Sequence, residues 1–97
     1  MIDRNDIKRL IEAHGVEETL DICFEECGEL VQAISKVKRA CRSEEGIAKA
    51  QIGLMEEMAD VYICMEMLGE IFSISQSNID AVVGIKMVRN MKRIENE

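Results

Sequence analysis

GLMEEMADVYICM, residues 53–65, reads as a strongly apolar helix that nevertheless carries Glu56, Glu57 and Asp60. Laid out at roughly 100° per residue, the helix has one apolar face of Leu54, Met58, Val61, Met65, Leu68 and Phe72 and a second of Cys64, Met67 and Ile71. Glu57 and Asp60, one turn apart, fall on that second face. A helix apolar on two sides has to be covered on both, by its own bundle and by another subunit. Ionised carboxylates on such a face are unfavourable unless something neutralises them.

About thirty residues earlier, CFEECGEL (residues 23–30) repeats the pattern in a second helix. There Leu20, Cys23, Phe24, Cys27, Leu30, Val31 and Ile34 form a broad apolar face, which predicts the core stripe, and Asp21, Glu25, Gln32 and Lys36 lie roughly opposite, on the solvated side. Glu26 and Glu29 fall between the two, on a strip shared with Ile22 and Ala33. Each helix therefore offers two carboxylates in one local direction.

The composition agrees with helices. A chain of 97 residues makes one domain, residues 1–97, with a modest core, and a second copy is expected to complete the burial. The absence of proline, with 3% aromatic residues, 47% hydrophobic residues and seven methionines, favours packed helices over a sheet. A net charge of -7 argues against general nucleic-acid binding, which needs an excess of Lys and Arg. It leaves room for a small phosphate ligand, because a divalent cation standing between carboxylates and phosphate becomes the largest local charge.

MIDRNDIKRL at the N-terminus is charged, and acids interrupt the longest helix, so neither a signal peptide nor a membrane span is expected and a cytoplasmic location follows. Cys23, Cys27, Cys41 and Cys64 read as free, core-packed thiols, since no second close pair and no histidine completes a zinc set.

Four helices can be placed, at about residues 6–14, 17–40, 47–72 and 77–95, with Asn5 capping the first, Gly15 ending it, and Ser75 or Ser77 capping the last. Short connections favour antiparallel neighbours, hence an all-α, four-helix bundle-like array. If helices 2 and 3 pack antiparallel with their acidic strips facing one cleft, Glu26, Glu29, Glu57 and Asp60 converge. Such carboxylates raise one another's pKa values unless a hard cation such as Mg2+ or Mn2+ neutralises them. The alternative is exposed acids at ordinary helix spacing, paired with Lys or Arg. On helix 4, Lys86, Asn90 and Arg93 form a stripe beside Ile79, Val83 and Met87 that suits phosphate oxygens, or simply edges a solvated C-terminal helix.

EECGEL, then EEMADV, then KMVRNMKR together resemble the MazG-like nucleoside triphosphate pyrophosphohydrolases of the all-α NTP pyrophosphatase superfamily, whose pattern is E-E-x-x-E, a spacer, E-x-x-D and a trailing Lys, Asn and Arg. The resemblance covers roughly residues 17–95. It implies an oligomeric MazG-type fold, a homodimer or homotetramer with sites near subunit interfaces. The activity implied is Mg2+-dependent hydrolysis of a nucleoside triphosphate to the monophosphate and pyrophosphate, by water attack on the α-phosphorus. The family's metal ligands and catalytic positions fall on Glu26, Glu29, Glu57 and Asp60, and its phosphate contacts on Lys86 and Asn90, with Arg93 a weaker match. Lys36, two turns along from Glu29, joins them as a substrate-binding candidate, and Glu26, Glu25 and Glu56 are candidates for the general base.

The sequence departs from the pattern in aromatics: only Phe24, Tyr62 and Phe72 are present, and no base-stacking residue is evident. The phosphoribosyl-ATP pyrophosphohydrolase branch ranks lower, because Asp60 is followed by Val61, Tyr62 and Ile63 instead of a Leu-Tyr-His-like run. A di-iron carboxylate bundle would need Glu-x-x-His on two helices, and the one histidine, His14, stands two residues from Glu12. The non-enzymatic rival is a helical interaction or regulatory module.

Overall fold

The computed structural model describes residues 2–97; Met1 lies outside them. The first helix, α1 (Arg4–His14), begins two residues earlier than the sequence predicts because Asp3, not Asn5, is the cap: its carboxylate accepts from the Asn5 N–H at 2.7 Å. Gly15 ends α1 at φ 79° and ψ 161°, a conformation essentially restricted to glycine, and α2 (Val16–Ser43) starts at the next residue. The Gly15 carbonyl then accepts from both the N–H and the hydroxyl of Thr19, at 3.0 and 2.7 Å, which satisfies a fully buried side chain.

Glu44 and Gly46, both in the left-handed region, turn the chain into α3 (Ile47–Phe72). Ser73 closes α3, again left-handed, and Ser75 opens α4 (Gln76–Glu95), its hydroxyl accepting from the Asn78 N–H at 3.1 Å. Among the described residues the chain is all-α, four helices with no strand. None of them is long and apolar enough to cross a membrane.

α2 and α3 pack antiparallel as the principal contact of the structure, and α1 lies against both. Ile7, Cys23, Cys64 and Met67 form the core, ringed by Ile2, Ile11, Ile22, Ile63 and Leu68. On α3 it is the second apolar face, with Cys64 and Met67, that turns inward, while Met58, Met65 and Phe72 of the first face stay exposed. On α2 the predicted core stripe is corrected in the same sense. Cys23 is buried, but Phe24 is 78% exposed and Val31 67%, and Cys27 and Ile34 are exposed as well. The helix instead packs through Thr19, Cys23, Ala33 and Ala40, so the intermediate strip carrying Glu26 faces α3. The buried positions of α2 are small side chains, and the bulky ones are left outside.

Of the expected bundle-like array of four helices, α1, α2 and α3 pack together. α4 packs on no other helix beyond a grazing contact, and every residue from Asp80 onward is exposed. The radius of gyration is accordingly 16.7 Å, against about 13 Å for a compact chain of this length. A lone surface helix without a packed face lacks the tertiary support that most helices need.

The cysteines divide likewise. Cys23 donates through Sγ to the Cys64 carbonyl at 3.9 Å, and burial pushes the Cys64 thiol up to about 12. Cys27 and Cys41 are exposed, contrary to the core role their sequence positions suggest. Because the thiolate is the reactive form, iodoacetamide at pH 8 is expected to modify Cys41 in the native protein and Cys23 and Cys64 only after denaturation. Residue-resolved mass spectrometry of the labelled chain checks this, and native labelling of Cys64 would contradict the packing.

Candidate functional site

The antiparallel register of α2 and α3 matches each three-residue step forward on one helix with a three-residue step back on the other. Glu26 therefore stands beside Asp60, and Glu29 beside Glu57, each pair close enough for the two acids to disfavour one another's ionisation. Carboxylate oxygens of Glu26, Glu57 and Asp60 lie within 4.8 Å of one another, all three residues half-buried. Glu29 is more exposed and stands beside this trio through Glu57. Glu25 and Glu56, the sequence neighbours, are exposed.

The electrostatics are unfavourable as they stand. Burial, reinforced by Asp60 and Glu29, raises the pKa of Glu26; burial, reinforced by Glu29 and Asp60, raises that of Glu57. One oxygen of each, Oε2, is shut off from solvent and accepts no hydrogen bond. Among the described residues the ion pairs are Arg4–Glu66 and His14–Glu18, so none of the four carboxylates is balanced by Lys or Arg. The reading of these acids as ordinary surface ion pairs therefore has no support. Oxygens around one Mg2+ stand about 3 Å apart in cis and about 4.2 Å in trans positions, given bonds of about 2.1 Å. The all-oxygen donor set of Glu26, Glu57 and Asp60 is of the kind that could hold a hard divalent cation.

The carboxylates sit at one end of an open groove of about 800 Å³ between α2 and α3, reached by Glu29 and Glu57. Ala33, Ala40, Ala50 and Gly53 line its middle, and Lys36 borders it as well. Lys86, Asn90 and Arg93 are not brought there: all three are exposed on α4, which packs on neither carboxylate helix, and none lines the groove. The sequence reading missed two other cations that do line it, Arg39 and Lys49. Arg39 follows Lys36 by one turn, a signal that was present, but Lys49 joins them only through the α2–α3 turn.

His14, whose Nδ1 lies 3.1 Å from Glu18, is remote from the carboxylates in this pairing and supplies no Glu-x-x-His ligand set. The chain matches no family model, no curated protein and no solved structure.

The raised pKa values set the sign of a pH effect. The folded chain holds protons on Glu26 and Glu57 at pH values where the unfolded chain has lost them, so metal-free stability falls as pH rises from the ordinary carboxylate range through the raised values. The double variant Glu26→Gln/Glu57→Gln is expected to melt at the same temperature as the wild type at low pH and several degrees higher at pH 7. Thermal melts in chelator across pH check this; identical profiles would mean that the two carboxylates carry no strain.

Proposed function

We propose that this chain is a Mg2+-dependent nucleoside triphosphate pyrophosphohydrolase of the MazG-like kind, with Mn2+ as an alternative cation. The observation that supports it is the facing of Glu26 with Asp60 and Glu29 with Glu57 across antiparallel helices, with two carboxylate oxygens orphaned and no cationic side chain to balance them. Phosphoryl transfer asks a protein mainly for positioning and charge neutralisation, and this is a site with concentrated charge and few other reactive groups.

Glu26, Glu57 and Asp60, with Glu29 beside them, would hold a divalent cation, which when bound would neutralise the triphosphate and acidify a water. Glu29, outside the tight trio and more open to solvent, is the carboxylate that on this reading accepts the proton of the attacking water. Attack at the α-phosphorus breaks the α–β bridge and releases the nucleoside monophosphate, pyrophosphate and a proton. Lys36 stands on the groove wall and contributes positive charge to the phosphates.

The same reading takes the chain as a homodimer or homotetramer. Its accessible surface is 7699 Å², whereas a monomer of 11.0 kDa exposes about 5600 Å². Phe24, Val31 and Ile34 on α2, Met58 and Met65 on α3, and residues all round α4 including Ile85, Val88 and Ile94 are exposed, far more apolar surface than an isolated domain of this size carries. A second copy covering these faces also gives α4 something to pack on, and is the route by which Lys86, Asn90 and Arg93 reach a substrate.

Incubation with a panel of NTPs and dNTPs plus Mg2+ is expected to yield pyrophosphate and not orthophosphate. Asp60→Asn and Glu57→Gln are each expected to lower kcat/KM by at least about 100-fold, since even residues one layer behind a metal's ligands change affinity by roughly 10–100-fold. Absence of turnover across the panel would favour a helical binding module instead. For the assembly, light scattering is expected to give a dimer or tetramer mass, and Phe24→Lys with Val31→Glu is expected to shift it toward the monomer.

A further inference from the structure

The two buried cysteines lie on different helices and meet in the core: Cys23 of α2 and Cys64 of α3. Cys23 donates through Sγ to the Cys64 carbonyl at 3.9 Å, and the Cys23 thiol adds to burial in raising the Cys64 thiol. Ile7 of α1 and Met67 of α3 complete the apolar shell around them. A single buried cysteine packs as a small hydrophobe. Two thiols side by side on neighbouring helices can also be joined.

Their place in the fold gives such a bond a consequence. Cys23 stands one turn before Glu26 on α2, and Cys64 one turn after Asp60 on α3, so the thiols and the carboxylates form consecutive layers of the same helix contact. The two cysteines are 41 positions apart in the chain. A bond between them closes a long loop and ties together the two longest helices.

We propose that Cys23 and Cys64 form a reversible disulfide latch between α2 and α3, closed by hydrogen peroxide and opened by thiol reductants. Cys23, at 6% exposure against 2% for Cys64, is the sulfur that peroxide reaches first. Its thiol becomes a sulfenic acid as peroxide is reduced to water. The Cys64 sulfur then attacks the Cys23 sulfur, the S–S bond forms, and a second water leaves. The closed latch has two hydrogens fewer and no added atoms, so it fits the existing core where an alkyl group would not. Its formation requires no metal, no nucleotide and no turnover, and is therefore independent of the hydrolase reading.

The Cys27→Ser/Cys41→Ser chain, which keeps only the buried pair, tests this when the folded protein is treated with stoichiometric hydrogen peroxide. Peptide mapping is expected to show Cys23 joined to Cys64 within one chain, with the loss of two hydrogens. The melting temperature is expected to rise by about 10 °C or more and to return on addition of dithiothreitol, which distinguishes the bond from methionine oxidation. The same treatment of the chain with Cys64→Ala added, or with Cys23→Ala added should that variant not fold, is expected to leave no reversible rise. Sulfinic or sulfonic acid at Cys23 in place of the bond, cross-linking between chains only, or a bond that forms only in denaturant would overturn the proposal. So would an oxidised chain that melts no higher than the reduced one.

Discussion

The packing of α2 against α3 places Glu26 opposite Asp60 and Glu29 opposite Glu57, and the other features of the molecule are arranged around that contact. The two helices meet through Cys23 on α2 and Cys64 and Met67 on α3, while Ala33, Ala40, Ala50 and Gly53 line the groove that opens between them further along. The same packing that buries Cys23 and Cys64 partly buries Glu26, Glu57 and Asp60, and raises the pKa of Glu26 and Glu57. Burial and mutual repulsion act in the same direction there, and nothing in the chain opposes them.

This arrangement exchanges stability for binding capacity. A helix pair with leucines at the carboxylate positions would bury more apolar surface with no electrostatic penalty. Retaining acids there leaves a repulsion that protonation relieves, and under the proposed function a bound cation would relieve it too and link metal binding to the fold. The core is thin as well: it consists of few residues, and the larger apolar side chains lie exposed on the outside.

The helices were legible in the sequence because their signals are local. Gly15 as a terminator, Ser75 as a cap and the polar break before α3 each act within a turn of chain, and the observed boundaries follow them closely. The carboxylate spacing was also legible, since residues three apart share a face whatever the helix packs against. Asp3 replaced Asn5 as the first cap because both residue types serve, and only the backbone path selects between them.

Which face turns inward was not local information. Hydrophobic periodicity identifies an apolar face but does not say whether the chain's own helices or another surface will cover it, and on α2 the most apolar stripe, with Phe24 and Val31, is the one left outside. For the same reason the stripe of Lys86, Asn90 and Arg93 could be read from α4 but not brought to the carboxylates, and Lys49 could be brought to Lys36 and Arg39 only by the α2–α3 turn. The sequence by itself determined four helices and two pairs of acids one turn apart. The tertiary structure alone decided that those pairs face each other, because the register between two helices depends on which side chains pack between them, here Cys23 of α2 with Cys64 and Met67 of α3.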